Sequence, residues 1–404
     1  MNHSSVSSGS PSPAARTGDA VRRMTARSRD EEHRASTPLE LFFDLCFVVA
    51  VAQAGGRLVH AIADGHAGHG VAGYFLLFFA IWWAWMNFSW FASAYDTDDV
   101  PYRVTTLVQI VGVLLLAAGV PRGFDDGDFQ LVAIGYAVMR LALVTQWLRA
   151  ARSAEGEDAA GARKTAVRYA IGVTACQAGW MVLLLPHGAP PGWAFLVLAA
   201  AELVVPPLAE RAAPTSWHPH HIAERYGLFT IIVLGESVAA ATVAVQSAVD
   251  EHSALGDLLP IAAGGLLIVF SAWWIYFAVP IHDYLVSNRQ AFLWGYGHYA
   301  VFTSAAAIGA GLEIAVEQAV GSGDISLRTA AWSVTIPTAV FLFTVWLLHS
   351  RHSKHGVAQQ LTLPVAALGV LACAWTGEHA VLWAGLVCAG AVAVGVALQA
   401  REPV

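Results

Sequence analysis

The sequence predicts an all-α polytopic integral membrane protein of about twelve transmembrane helices, arranged as two six-helix parallel repeats. Three observations predict it. Hydrophobic residues make up 56% of the chain and charged residues 13%, with a mean hydropathy of +0.55. A soluble domain carries about 25% charged residues, so half that share cannot cover the chain with a water-compatible surface. Apolar runs long enough to span a bilayer, about 20 residues each, recur along the chain. The basic residues between them alternate in number from one loop to the next, as a chain with a fixed membrane orientation requires.

Residues 1–37 are rich in Ser, Pro, Ala and Arg, with no short apolar core before a cleavage site. They are expected to be a disordered, basic cytoplasmic tail. The first membrane half, 38–209, holds runs at 38–62, 71–94, 102–121, 129–149, 167–186 and 192–209. A cytoplasmic linker follows at 210–221. The second half, 222–400, holds runs at 222–246, 257–280, 291–316, 330–349, 357–375 and 379–400. With both termini placed in the cytoplasm, 18 of the 22 Lys and Arg fall inside, only Arg122 and Arg328 fall outside, and Arg57 and Arg140 lie within spans. That distribution supports twelve spans with both ends inside.

The repeat is read from matching spans. Phe79–Phe88 and Phe270–Phe277 share a double Trp, spans four and ten both end in Trp-Leu (Trp147-Leu148 and Trp346-Leu347), and spans one and seven open with acidic residues, Glu40 and Glu224. Six spans per half give the halves the same orientation.

Polar residues inside apolar runs are costly and mark candidate sites. Glu40 and Asp44 lie four residues apart, so a helix puts them on one face. Glu236 lies twelve residues beyond Glu224, about 18 Å deeper along a helix, and is either an ion, proton or substrate site or a helix–helix hydrogen bond. Glu224 and Arg225 are placed at the cytoplasmic mouth. Arg140 cannot lose its proton and needs an acidic partner, with Glu236, Asp44 and Glu313 as candidates. His298 with Glu313 and Glu236 forms either a proton relay or a satisfied interior histidine. Glu202 in span six is isolated in sequence, and Asp96, Asp98 and Asp99, with His282 and Asp283 in the matching place after span eight, read as solvated loop charges or as a vestibule for a cation. The Trp217–His221 stretch reads as a cap on span seven.

Other chemistries are not indicated. The four cysteines lie in apolar runs with no metal spacing, and no metal site or cofactor is called. No His-Glu-x-x-His, nucleophile-elbow or phosphate-loop motif occurs, there is no ATP-binding domain, and both lysines, Lys164 and Lys354, lie in loops.

The run Thr37–Leu45, the stretch Glu224–Phe229 with Leu234–Ser237, and the Gly297-His298 and Gly311–Glu313 elements resemble the bacterial low temperature requirement A family. The resemblance covers about 36–350; the last two helices and the tail are generic. Cys46 departs from it, standing where an apolar Val is typical. What it implies is a bacterial inner-membrane protein; it supplies no substrate or mechanism.

The leading expectation is a secondary transporter or ion- or proton-coupled permease for a small solute, with Glu236 as protonatable centre, Glu40 and Asp44 at the mouth and Arg140 as counter-charge. The alternatives are a membrane-embedded enzyme or lipid-handling protein using intramembrane carboxylates, with His298 in acid/base work, and a cold-response sensor or scaffold. Partners are the lipid bilayer and no nucleic acid; enzyme activity and oligomeric state stay open.

Overall fold

The computed structural model describes residues 21–27, 35–156, 158–186, 191–250, 255–321, 324–354 and 356–400. Among them there is no strand. Twelve long helices follow one another: α1 Pro38–Ala63, α2 Ala67–Tyr95, α3 Val100–Asp125, α4 Gln130–Ser153, α5 Ala159–Leu184, α6 Gly192–Ala209, α7 Pro219–Asp250, α8 Leu255–Phe277, α9 Asn288–Ala319, α10 Leu327–Val345, α11 Val357–Cys373 and α12 Ala380–Gln399. Ten helices are long and apolar enough to cross a membrane; α7, with its charged first turns, and the 17-residue α11 complete the set.

Start signals fix several of these helices. Thr37 caps α1 with Pro38 at its first position, and the side chains of Asp99, Ser287 and Ser326 accept the N–H groups that open α3, α9 and α10. Helix α10 continues through a π turn, Trp346–Ser350. Helix α5 begins eight residues before its apolar run (159 against 167), because Arg163, Lys164 and Arg168 suit a helix that projects past the hydrocarbon.

The core is built around α2 and α9. From Leu77 to Tyr95 α2 is buried nearly all round, a helix surrounded by protein rather than lipid. Helix α1 packs on α2 and α3, α2 on α4, α3 on α4, α4 on α5 and α5 on α6. Helix α7 packs on α8 and α9, α8 on α10, α9 on α10, α10 on α11 and α11 on α12. Contacts of α1 and α2 with α7 and α9 join the two groups at the centre.

Residues 1–20 and 28–34 of the expected tail lie outside the described residues. The stretch 21–27 packs on the bundle: Met24 is buried, the Arg27 N–H donates to the Ala94 carbonyl at 2.9 Å, and the Arg22 N–H to Asp99 at 2.7 Å. Asp99 also pairs with Arg149. It is therefore buried and bonded, and the solvated reading of this loop fails there.

Candidate functional site

The most heavily charged buried contact lies where α1 meets α7. Both helices start with proline, Pro38 and Pro219, at the same face of the bundle. In α1 the Thr37 hydroxyl accepts the Glu40 N–H at 3.3 Å and Glu40 accepts the Thr37 N–H at 2.8 Å, a reciprocal capping box that fixes Glu40 at the helix entrance. Asp44 follows one turn deeper. Counted from the prolines, Glu40 and Asp44 are the third and seventh residues of α1, and His221 and Arg225 the third and seventh of α7. The structure joins them in that register. His221 Nε2 lies 3.2 Å from Glu40 Oε1. Arg225 Nε donates to Asp44 Oδ2 at 3.0 Å, its Nη2 bonds Oδ1, and its Nη1 lies 3.2 Å from Glu40 Oε1. Trp85 Nε1 donates to Asp44 at 2.7 Å, and the Arg225 guanidinium lies 5.9 Å from the Phe88 ring. All four ionisable residues are fully buried.

Two carboxylates thus meet one guanidinium and one imidazole in a site without solvent contact. The bidentate Arg225–Asp44 pair is the strong form of such a contact. The positive ends of two helices point into the same place and favour anionic oxygens there. Glu40 is shared between His221 and Arg225, while Asp44 holds Arg225 through both oxygens.

Arg225 is expected from the sequence at the mouth beside Glu224. Successive helical residues diverge by about 100°, so Glu224 turns to another side, where it accepts the Ser36 N–H at 3.3 Å. Arg225 turns inward to α1. His218, expected in a cap, does accept the His221 N–H through Nδ1 at 3.4 Å, but His221 also binds across the seam.

Arg140 pairs with none of its three expected partners. Its Nη2 lies 2.5 Å from Glu202. Glu202 also accepts Trp83 Nε1 at 2.6 Å, Trp180 Nε1 at 3.2 Å and the Tyr136 hydroxyl at 3.2 Å. A signal existed in the sequence: Arg140 is ten residues into α4 and Glu202 ten residues into α6, helices entering from the same face, so their depths match. Isolated in sequence, Glu202 has four partners in space.

His298 is a third, separate centre. Its Nε2 lies 2.9 Å from the Tyr276 hydroxyl and its Nδ1 2.8 Å from the Trp294 carbonyl, with the His349 ring centre 5.6 Å away. Glu313 is fifteen residues further along α9, about 22 Å along the axis, so the two do not form a relay. Glu313 instead lies within electrostatic reach of Glu236, Glu317 and His60 towards the opposite face, where Glu236 and Glu313 are half-buried. The six expected residues therefore divide among the α1–α7 seam, the Arg140–Glu202 pair, the His298 cluster and this acidic group.

The sequence model of the bacterial low temperature requirement A protein family matches residues 35–399, taking in the last two helices. An uncharacterized protein of Rhizobium meliloti (strain 1021) is 29% identical over 269 residues, 62% of this chain and 60% of that protein. The chain thus spans less than two thirds of the length of this relative.

Proposed function

The chain belongs to the bacterial low temperature requirement A family, and from that premise we propose that it is a proton-coupled secondary transporter of the cytoplasmic membrane whose two six-helix halves move about the α1–α7 seam. One observation carries this: both acids of the seam come from α1 and both bases from α7, all fully buried. A buried ion pair stabilises no better than apolar residues of similar volume, by rough parity, and is best used as a register or switch device. A proton on Glu40 or Asp44 takes away a counter-charge of Arg225, weakens the seam and lets the halves part. Deprotonation restores it.

The order of helix neighbours supports a parallel repeat, because each pairing within α1–α6 given above recurs within α7–α12. Within it the register-equivalent of Glu40 is His221 rather than Glu224. The basic residues near the starts of α1, α3 and α5 support a cytoplasmic position for that face. Glu236, Glu313 and Glu317 would then form an acidic outer mouth.

The test is flux. Proteoliposomes with an imposed pH gradient and an internal pH dye are offered solutes by class: amines and quaternary ammonium ions, sugars, amino acids, carboxylates. One class should collapse the gradient in the wild type and not in Asp44→Asn. Collapse undiminished in Asp44→Asn, or by no class, overturns the proposal. A second reading, lipid handling, is favoured by one feature: an apolar groove of about 430 Å³ between α1, α2, α9 and α10, lined by Leu58, Tyr74, Tyr299 and Trp332 among others. Lipid exchange between vesicles, with no solute flux, would support it.

A further inference from the structure

In the second half α8 and α12 pack backbone to backbone. A Cβ at Gly264 would overlap the Val381 carbonyl, and one at Gly385 would lie 2.8 Å from the Gly264 Cα. Their positional counterparts in the first half, α2 and α6, do not close in this way. They meet through long side chains, Phe79 beside Phe195 with ring centres 6.2 Å apart and Trp83 on Glu202. The space above these contacts is a cavity of about 420 Å³, within the usual range of small-molecule sites.

Its shape and lining are specific. It follows α2 from His69 to Ala80, eleven residues or about 16 Å along the helix. The rim lies at the face opposite the seam and carries His69, Asp125 and Asp126. Asp125 is bound to Arg57 at 2.8 Å, and Asp126 is exposed beside it. Phe129 stands beside the rim aspartates, and Phe79, Tyr136, Trp180 and Phe195 line the interior, so the lining is aromatic. Tyr136 and Trp180 spend their polar atoms on Glu202, which holds those rings in the cavity wall, and the Arg140 guanidinium lies 5.6 Å from the Tyr136 ring centre, over one of its faces. Glu202 is itself neutralised by Arg140, so the floor offers ring faces rather than net charge.

We propose that this cavity is a binding site for lipophilic cations, molecules with an aromatic or alkyl body and a positive group. Aromatic faces attract cations, and while Asp125 is balanced by Arg57, the exposed Asp126 repels anions and draws cations in. A phospholipid phosphate calls for Arg or Lys; at this rim Arg57 is engaged by Asp125, and Asp126 stands beside it. The cargo role rests on the transporter reading above; the binding does not.

The test is equilibrium dialysis of the intact protein in nanodiscs against tetraphenylphosphonium and the similarly shaped anion tetraphenylborate. No gradient is applied, so the result is independent of flux. Tetraphenylphosphonium should bind saturably and tetraphenylborate should not. Binding should weaken about tenfold or more in Ala80→Trp, which fills the cavity, and in Ala72→Phe, a milder change at an exposed position of its wall. Asp126→Asn should cost about three- to fivefold, the worth of one exposed charge. Equal binding of the two ions, or cation binding that both filling variants leave intact, overturns the assignment. So does a co-purifying phospholipid that Ala72→Phe expels while tetraphenylphosphonium fails to saturate, which would make the cavity a lipid site.

Discussion

Removing either partner of the Arg140–Glu202 pair should destabilise the protein, but by unequal amounts. Breaking a buried ion pair from one side costs about 3–5 kcal/mol, because a charge is left alone. Arg140→Met leaves Glu202 with three donors, Trp83, Trp180 and Tyr136. Its cost should sit near the lower figure. Glu202→Leu leaves a guanidinium that cannot lose its proton. It also strips the acceptor from all three donors, each worth about 1–3 kcal/mol when left unbonded in the interior. Its cost should exceed about 5 kcal/mol by the sum of these effects. The double variant Arg140→Met/Glu202→Leu removes both charges and should be more stable than Glu202→Leu alone. The assay is recovery of monodisperse protein by size exclusion after graded heating in detergent. If Arg140→Met is as damaging as Glu202→Leu, or the double variant is the worst of the three, the four-donor description of Glu202 is wrong.

Other outcomes follow from the packing. Asp44→Arg and Arg225→Asp should each cost about 3–5 kcal/mol alone, while the double exchange recovers a large part, since the two positions face each other in equal register; heat recovery of the three variants checks this. Burial pushes the Asp99 carboxyl up, but the Arg149 hydrogen bonds and the backbone N–H groups of Arg22 and Tyr102 outweigh it and hold Asp99 below the usual carboxylate range. Its stabilising effect is then complete above the ordinary value of about 4 and lost as pH falls through the lower folded value, so Asp99→Asn should flatten the acid limb of a melting-temperature profile and leave its neutral part unchanged in slope. Gly264→Val should force α8 from α12 and cost about 1–3 kcal/mol or more, whereas Gly56→Val, where an added Cβ meets nothing within 4 Å, should be close to neutral in the same heating assay.

How much was legible in the sequence depended on distance along the chain. Spans were legible because a bilayer imposes a length and a composition, and the α6 bounds, 192–209, match those read from hydropathy. The extra turns of α5 were not, since hydropathy marks where hydrocarbon ends and α5 runs past it. Glu40 and Asp44 were legible as a pair because helical spacing is local. Their partners were not legible, because His221 and Arg225 are 181 residues away from them and the residue that matches Glu40 by type, Glu224, is not the one that faces it. Counting each charged residue from its own helix start would have aligned both pairs, and would have aligned Arg140 with Glu202. Depth is a one-dimensional coordinate that sequence supplies; lateral neighbours, such as Tyr276 beside His298, it does not.

The motion about the α1–α7 seam can be read directly as a distance. With the four native cysteines replaced, spin labels at Asp98→Cys and Arg289→Cys, both exposed at the seam face and in opposite halves, report the separation by pulsed electron resonance in nanodiscs. Asp44→Asn, which mimics the protonated acid, should shift that distribution at neutral pH towards the one the unsubstituted seam gives in acid. Distributions that coincide at both pH values and in both proteins would contradict a proton-sensitive seam.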